Sequence, residues 1–191
     1  MKRNVKCCLL VIAMMLIFGL HAFAGASPPK VGDQMPVIKL PVPGDSFQRD
    51  YLGIHSGTFF TIPQIKSQFV IIQIFSMYCP HCQRNAPEVN KLFELIENNP
   101  GLKGKMKLIG IGAGNSPFEV DFYRKTYKIP FPLFPDEDFV IHKVCGEVRT
   151  PYFFGVKIHK DGSHVVSYSK LGGFEHAEDF LKEMVRLSGI K

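Results

Sequence analysis

Between Phe69 and Phe75 the chain runs Phe-Val-Ile-Ile-Gln-Ile-Phe, apolar and β-branched with one polar interruption. An unbroken run of this kind predicts a strand buried on both faces rather than an alternating, half-exposed one. The period then changes. From Pro80 to Asn98 the apolar residues Ala86, Val89, Leu92, Phe93, Leu95 and Ile96 fall at helical spacing, and Asn99-Pro100-Gly101 ends the helix. The alternation continues with a strand at Met106–Ile111 and a helix from Ser116 to about Tyr127, with Pro117 at its first position. An extended piece at Phe131–Phe134 and a helical stretch at Glu137–Cys145 follow. Strands at Tyr152–Ile158 and His164–Tyr168 are joined by a segment whose Asp161-Gly162 pair marks a hairpin. A last helix, Glu175–Leu187, places Phe180, Leu181, Met184, Val185 and Leu187 on a packing face. Upstream of the buried strand, residues 27–50 are rich in Pro, Gly and Asp and read as an extended entry segment with one short strand at Val37–Leu40. Thr61–Lys66 reads as a single helical turn capped by Thr61. Strand, helix, strand, then a hairpin and a closing helix predict an α/β fold, a central mixed β-sheet with helices on both faces.

The first residues follow another rule. Lys2, Arg3 and Lys6 precede an almost purely apolar run from Cys7 to Leu20, and small residues follow at Ala22-Phe23-Ala24 and Ala24-Gly25-Ala26. This is the layout of a secretory signal peptide over residues 1–24, leaving residues 25–191 as one domain; an uncleaved N-terminal membrane anchor is the rival reading. The expected location is periplasmic or otherwise extracytoplasmic, with membrane contact only if that segment stays attached. Loss of Lys2, Arg3 and Lys6 lowers the net charge from +6 to +3. So mild a charge gives a nucleic-acid role little electrostatic support. Of the five cysteines three remain, Cys79, Cys82 and Cys145. An exported domain of this size with one close pair and an odd thiol is not a stapled scaffold, and the pattern points to reactivity.

The pair is Cys79-Pro80-His81-Cys82, lying between the buried strand and the long helix. C-x-x-C spacing serves half of a zinc site, a haem attachment site or a redox dithiol. Zinc needs two more ligands at close spacing, and neither His55 nor Cys145 belongs to a second such pair. Haem attachment needs His after the second Cys, where this chain has Gln83. The redox reading remains: a dithiol at a helix N-terminus, where thiolates are stabilised. Cys79 is the expected nucleophile and Cys82, one turn on and more buried, the resolving thiol. His81 lies near enough to lower the Cys79 pKa further, and Pro80 restricts the turn between the sulfurs. No metal is expected, and no cofactor other than a Cys79–Cys82 redox-active disulfide. Cys145 admits three readings: a buried helix-end residue packed as a small hydrophobe, a redox partner for the dithiol, or an intermolecular link. His55, His142, His159, His164 and His176 are scattered and read as surface residues rather than ligands.

Several local motifs are specific enough to carry a resemblance. Phe75-Ser76-Met77-Tyr78-Cys79-Pro80-His81-Cys82, Pro87 within the helix, Phe131-Pro132-Leu133-Phe134-Pro135-Asp136, Thr150-Pro151 and Lys160-Asp161-Gly162 occur in that order. Over roughly residues 30–188 the chain resembles the thioredoxin superfamily, and within it the exported TlpA-like and ResA-like thiol-disulfide oxidoreductases. The resemblance implies a thioredoxin-like fold, a cis bond at Thr150-Pro151, and a Thr150 backbone that pairs with a bound substrate chain beside the dithiol. It also implies protein thiols or disulfides in the exported compartment as substrates, a redox-recycling partner, and no nucleic acid. The chain departs from the family where Tyr78 replaces the usual Trp and where Gln73 and Asn85 stand in place of acids. Gln and Asn cannot ionise, which leaves acid-base help for Cys82 to Glu88 or to water. The Pro80-His81 pair matches strongly oxidising DsbA-type sites while the rest of the chain matches the reducing group, so the direction of electron flow stays open. Two alternatives stand beside disulfide exchange. A thiol peroxidase of the same fold would use Ser76 before Cys79 but lacks the upstream Pro of that motif. A non-enzymatic Cu(I)-handling module is the other, although such relatives space their cysteines more widely.

Overall fold

The computed structural model describes residues 27–190, so the expected leader lies outside the described residues. The elements are β1 (Lys39–Pro41), α1 (Ser46–Leu52), β2 (Phe59–Thr61), a 3-10 turn (Ile62–Gln64), β3 (Phe69–Phe75), α2 (Pro80–Glu97), β4 (Met106–Ala113), α3 (Pro117–Thr126), β5 (Leu133–Asp136), α4 (Val140–Val144), β6 (Tyr152–Ile158), β7 (His164–Leu171) and α5 (Ala177–Ser188). Five strands form one sheet in the order β5-β4-β3-β6-β7, and β1 and β2 form a separate two-stranded hairpin. β3 runs parallel to β4 and antiparallel to β6, which makes the sheet mixed, as its sequence pattern predicts. Every residue of β3 and of β4 is buried. Both faces of the sheet centre are therefore covered, and α2 packs against α5 over it. Each Ile or Phe buried there stabilises the fold by about 1.5–3 kcal/mol.

This topology decides where chemistry can occur. Parallel β3 and β4 end at the same edge of the sheet, and in open α/β sheets the loops beyond the carboxyl ends of parallel strands carry the functional groups. The loop after β3 holds Cys79, and the loop after β4 lies beside it.

The differences from the sequence-based expectation begin near the N-terminus. The segment read as an extended entry contains α1, capped where Gln48 N–H donates to the Asp45 carboxylate at 2.9 Å and closed by Gly53 in the left-handed region. Seven residues give too few apolar repeats for a periodic signal, so only the caps marked this helix. The three-residue β2 strand is too short to carry an alternating pattern, and β1 begins at Lys39 rather than at Val37, which is exposed. The turn at Thr61 is present, with Thr61 N–H donating to the Gln64 side chain at 2.7 Å. β5 sits two residues later than expected; as an edge strand it accommodates Pro135, which has no N–H to give. α4 is shorter than the predicted helix because Phe139 adopts a left-handed conformation, φ 58°, and interrupts it. His164 is a correction: it is buried, 7% exposed, with Nδ1 unpartnered, not on the surface. The N-terminal segment covers it, with Met35 N–H donating to the His164 carbonyl at 3.1 Å, a long-range contact that no local pattern announces.

Candidate active site

Ser76 to Cys79 form the loop that turns from β3 into α2. Cys79 is the N-cap of that helix, extended at φ −85° and ψ 111°, with Pro80 at the first helical position. Proline suits that place because the amide it lacks would have no intrahelical acceptor. Three contacts pin the loop. Met77 N–H donates to Asn115 Oδ1 at 2.8 Å, Gln83 Nε2 donates to the Met77 carbonyl at 2.7 Å, and Cys79 N–H donates to the Ser76 carbonyl at 3.0 Å. Neither Asn115 nor Gln83 was singled out from the sequence for this work. A signal existed for Asn115, since it follows the strand predicted to lie beside β3.

Both sulfurs are free thiols in very different surroundings. Cys79 is partly exposed, and its Sγ accepts from the Cys82 amide at 3.4 Å. The same sulfur lies 3.3 Å from the Thr150 carbonyl, to which it can donate only as a thiol. Partial burial opposes ionisation of Cys79. Hydrogen bonds from Thr150 and from Cys82, together with the amides of Cys82 and His81, outweigh it, so the Cys79 pKa lies below the ordinary thiol value. Cys82 is fully buried, 0% exposed, and burial pushes its pKa up to about 12. Tyr123 stacks on Phe75 and donates its hydroxyl to the Cys82 carbonyl at 3.1 Å, a bond to the backbone rather than to the thiol.

The other expected site residues converge on the pair to different degrees. The Thr150-Pro151 bond is cis, as the resemblance implies, and this loop lies against Cys79. Tyr78 is 65% exposed and donates its hydroxyl to Glu119, the residue that also closes the capping box of α3 with Ser116. The tuning expected of the His81 ring is not made. Its Nδ1 is 2.9 Å from the Arg84 guanidinium, which can only donate, and His81 reaches the Cys79 sulfur through its amide alone.

The acid-base question at Cys82 also has a structural answer. Glu88 accepts from the Ala177 amide at 2.8 Å, so it caps α5 and does not serve the dithiol. Asn85 donates to the Phe174 carbonyl at 2.7 Å and packs so closely on Gly173 that a Cβ there would lie 2.6 Å from its side chain. Gln73 is buried in β3 with its Nε2 unpartnered. The side chains of Cys79 and Thr150 hydrogen-bond with Cys82, and among the described residues no carboxylate does. Among the described residues no cluster of His, Cys, Asp and Glu is arranged to hold a metal ion, and no helix is long and apolar enough to cross a membrane.

Two clefts flank the Cys79 and Thr150 contact. One of about 400 Å³ is lined by His81, Arg149, Thr150, Pro151, Leu171 and two glycines; the other, about 440 Å³, includes Tyr78, Phe139, His142 and Arg149. A larger apolar groove between α2 and α5, lined by Leu95, Leu102, Leu181 and Val185, contains neither thiol. The arrangement as a whole is one ionisable thiol, one buried thiol a helical turn away, and a backbone edge at Thr150 beside the first sulfur. It can form and break a disulfide across the pair.

Comparison with known proteins agrees with this fold. Residues 31–163 match the model of the AhpC/TSA family. No curated protein matches the sequence. Among solved structures, a Chlorobium tepidum protein assigned as thiol:disulfide interchange protein DsbE superposes with TM-score 0.62 at 12% identity, covering 84% of this chain and 98% of its own. StoA from Bacillus subtilis superposes with TM-score 0.54 at 19% identity over 78% of this chain and 96% of its own. A secreted Mycobacterium tuberculosis disulfide oxidoreductase homologous to E. coli DsbE does so with TM-score 0.51 at 15% identity, covering 68% and 90%. The chain belongs to the AhpC/TSA family and has the thioredoxin-superfamily fold.

Proposed function

We propose that this AhpC/TSA-family chain is a thiol-disulfide oxidoreductase that exchanges disulfides with protein substrates in an exported compartment, with Cys79 and Cys82 as its redox centre. The observation that carries the reading is the asymmetry of the pair. Cys79 caps a helix N-terminus with its pKa lowered, while Cys82 is buried behind it as a thiol.

In the reducing direction, the Cys79 thiolate attacks one sulfur of a substrate disulfide, and the other substrate sulfur leaves as a thiolate and takes a proton. Cys82 then loses its proton and attacks the Cys79 sulfur, which releases the second substrate thiol and leaves a Cys79–Cys82 disulfide. With Glu88 committed to α5, the Cys82 proton passes to the departing thiolate or to water. The oxidising direction is the same path reversed. The Thr150 and Pro151 edge binds the substrate chain beside the sulfur, Pro80 holds the turn, and Tyr78 and the His81 amide shape its entrance. Electrons are restored or removed by a separate recycling partner. Residues 1–24 serve as export signal or anchor and residues 25–191 as the working domain, in a periplasmic or other extracytoplasmic location.

Measuring the reduction potential of the pair together with insulin-disulfide reduction and reactivation of scrambled ribonuclease tests the proposal. A potential above about −150 mV marks an oxidant and one below about −250 mV a reductant. Hydrogen peroxide turnover without disulfide exchange would overturn the reading in favour of a thiol peroxidase. Tight stoichiometric Cu(I) binding without exchange would overturn it in favour of a copper-handling module.

A further inference from the structure

The clefts beside Cys79 share one charged residue that structural roles leave unused. Arg149 lies immediately before Thr150 and lines both clefts, one on each side of the Thr150 and Cys79 contact. It is exposed, and among the described residues it has no hydrogen-bond or ion-pair partner. The other charge-bearing group lining the first cleft is His81, whose ring carries the Arg84 guanidinium against it. No acidic side chain lines either cleft. Among the nearby acids, Glu119 is held by Tyr78 and the α3 cap, Glu147 is exposed but lines neither cleft, and Glu175, Asp179 and Glu183 line an adjoining groove with Lys170 that meets the first cleft at Gly173. Of the charge-bearing groups that line the two clefts none is acidic, and the guanidinium common to both is free. Gly172 and Gly173 line the first cleft, and the open space where a Gly172 side chain would stand leaves room for an extended chain.

Resting on the disulfide-exchange reading, we propose that Arg149 is a specificity-determining residue that selects substrate segments carrying an acidic side chain next to the reacting cysteine. A guanidinium with no internal partner meets a substrate carboxylate without first breaking an ion pair, and its planar fork suits a bidentate contact. The field of the rim also steers acidic segments toward the sulfur and repels basic ones.

The test uses the reduced protein and three disulfide-linked peptides that are identical except for Glu, Gln or Lys on both sides of the cysteine. Single-turnover rate constants are normalised to the reaction of each peptide with dithiothreitol, which removes the peptides' own differences in thiol acidity. The Glu peptide should react about three- to fivefold faster than the Gln peptide at low salt, with the Lys peptide slower than both. Arg149→Gln should compress this range to within about twofold, and Arg149→Glu should reverse the order. Added salt at about 1 M, where screening acts within ~3 Å, should erase the preference in the unaltered protein. Equal rates for all three peptides, or an order that survives Arg149→Gln, would overturn the inference while leaving disulfide exchange standing. Failure of the unaltered protein to react with any of the three would overturn disulfide exchange itself, and the selectivity with it.

Discussion

Cys79 and Cys145 are the same residue type at opposite kinds of helix end, on two different helices. Cys79 caps the N-terminus of α2, where its sulfur accepts the Cys82 amide. Cys145 caps the C-terminus of α4, where the backbone presents carbonyls rather than amides. Cys79 is partly exposed with its pKa lowered. Cys145 is wholly buried, and burial, with the Asp136 charge adding to it, raises its pKa to about 12. Asp136 is held near Cys145 because its carboxylate accepts the Ile141 and His142 amides at 2.9 and 2.7 Å. A thiol becomes reactive through the amides and solvent it meets, and loses reactivity through burial and negative charge. The reading of Cys145 as a small hydrophobe packed in the core agrees with this environment.

The largest expected effect breaks the comparison by substitution. Cys79→Ser should abolish insulin-disulfide reduction, while Cys145→Ser should retain it and instead lower stability by about 1–3 kcal/mol, since a hydroxyl replaces a buried sulfur. Comparable losses of activity in both variants would remove the distinction. Next, Cys82→Ala should accumulate a covalent adduct between Cys79 and a disulfide substrate, visible on a non-reducing gel, because nothing remains to resolve it. At neutral pH, of Cys79, Cys82 and Cys145 iodoacetamide should modify only Cys79 in the folded protein, as mass spectrometry of the digested product can show, with the other two reacting after denaturation.

A smaller effect follows from linkage. Cys82 and Cys145 have folded pKa values raised to about 12, so the stability they contribute is present below the unfolded thiol value, near 8.5, and falls as pH rises toward 12. Denaturant midpoints of the reduced protein should decline from about pH 9 upward, and Cys145→Val should decline less steeply. Cys79 has the opposite sign, its lowered pKa contributing stability that is lost as pH falls through the folded value. The smallest effect concerns Glu88. Glu88→Ala should cost about 1 kcal/mol through loss of the α5 cap and leave the pH dependence of the exchange rate unmoved. A displaced pH profile would return Glu88 to the chemistry of Cys82.

Much of this molecule is legible in its residues because the causes are local. Strand β3 has the predicted bounds because its almost unbroken apolar run is satisfied only by burial on both faces, and β6 has them because turn residues mark its ends. The dithiol is legible because a turn from strand to helix puts Cys79 among unpaired amides whatever the rest of the chain does. What the tertiary structure decided depends on segments distant in sequence. It committed Glu88 to Ala177 and set the Thr150 carbonyl 3.3 Å from the Cys79 sulfur. It covered His164 with the N-terminal segment and left Arg149 unpaired between two clefts. Local pattern states which groups want burial or a partner, and only the assembled sheet and helices determine which partner each one finds.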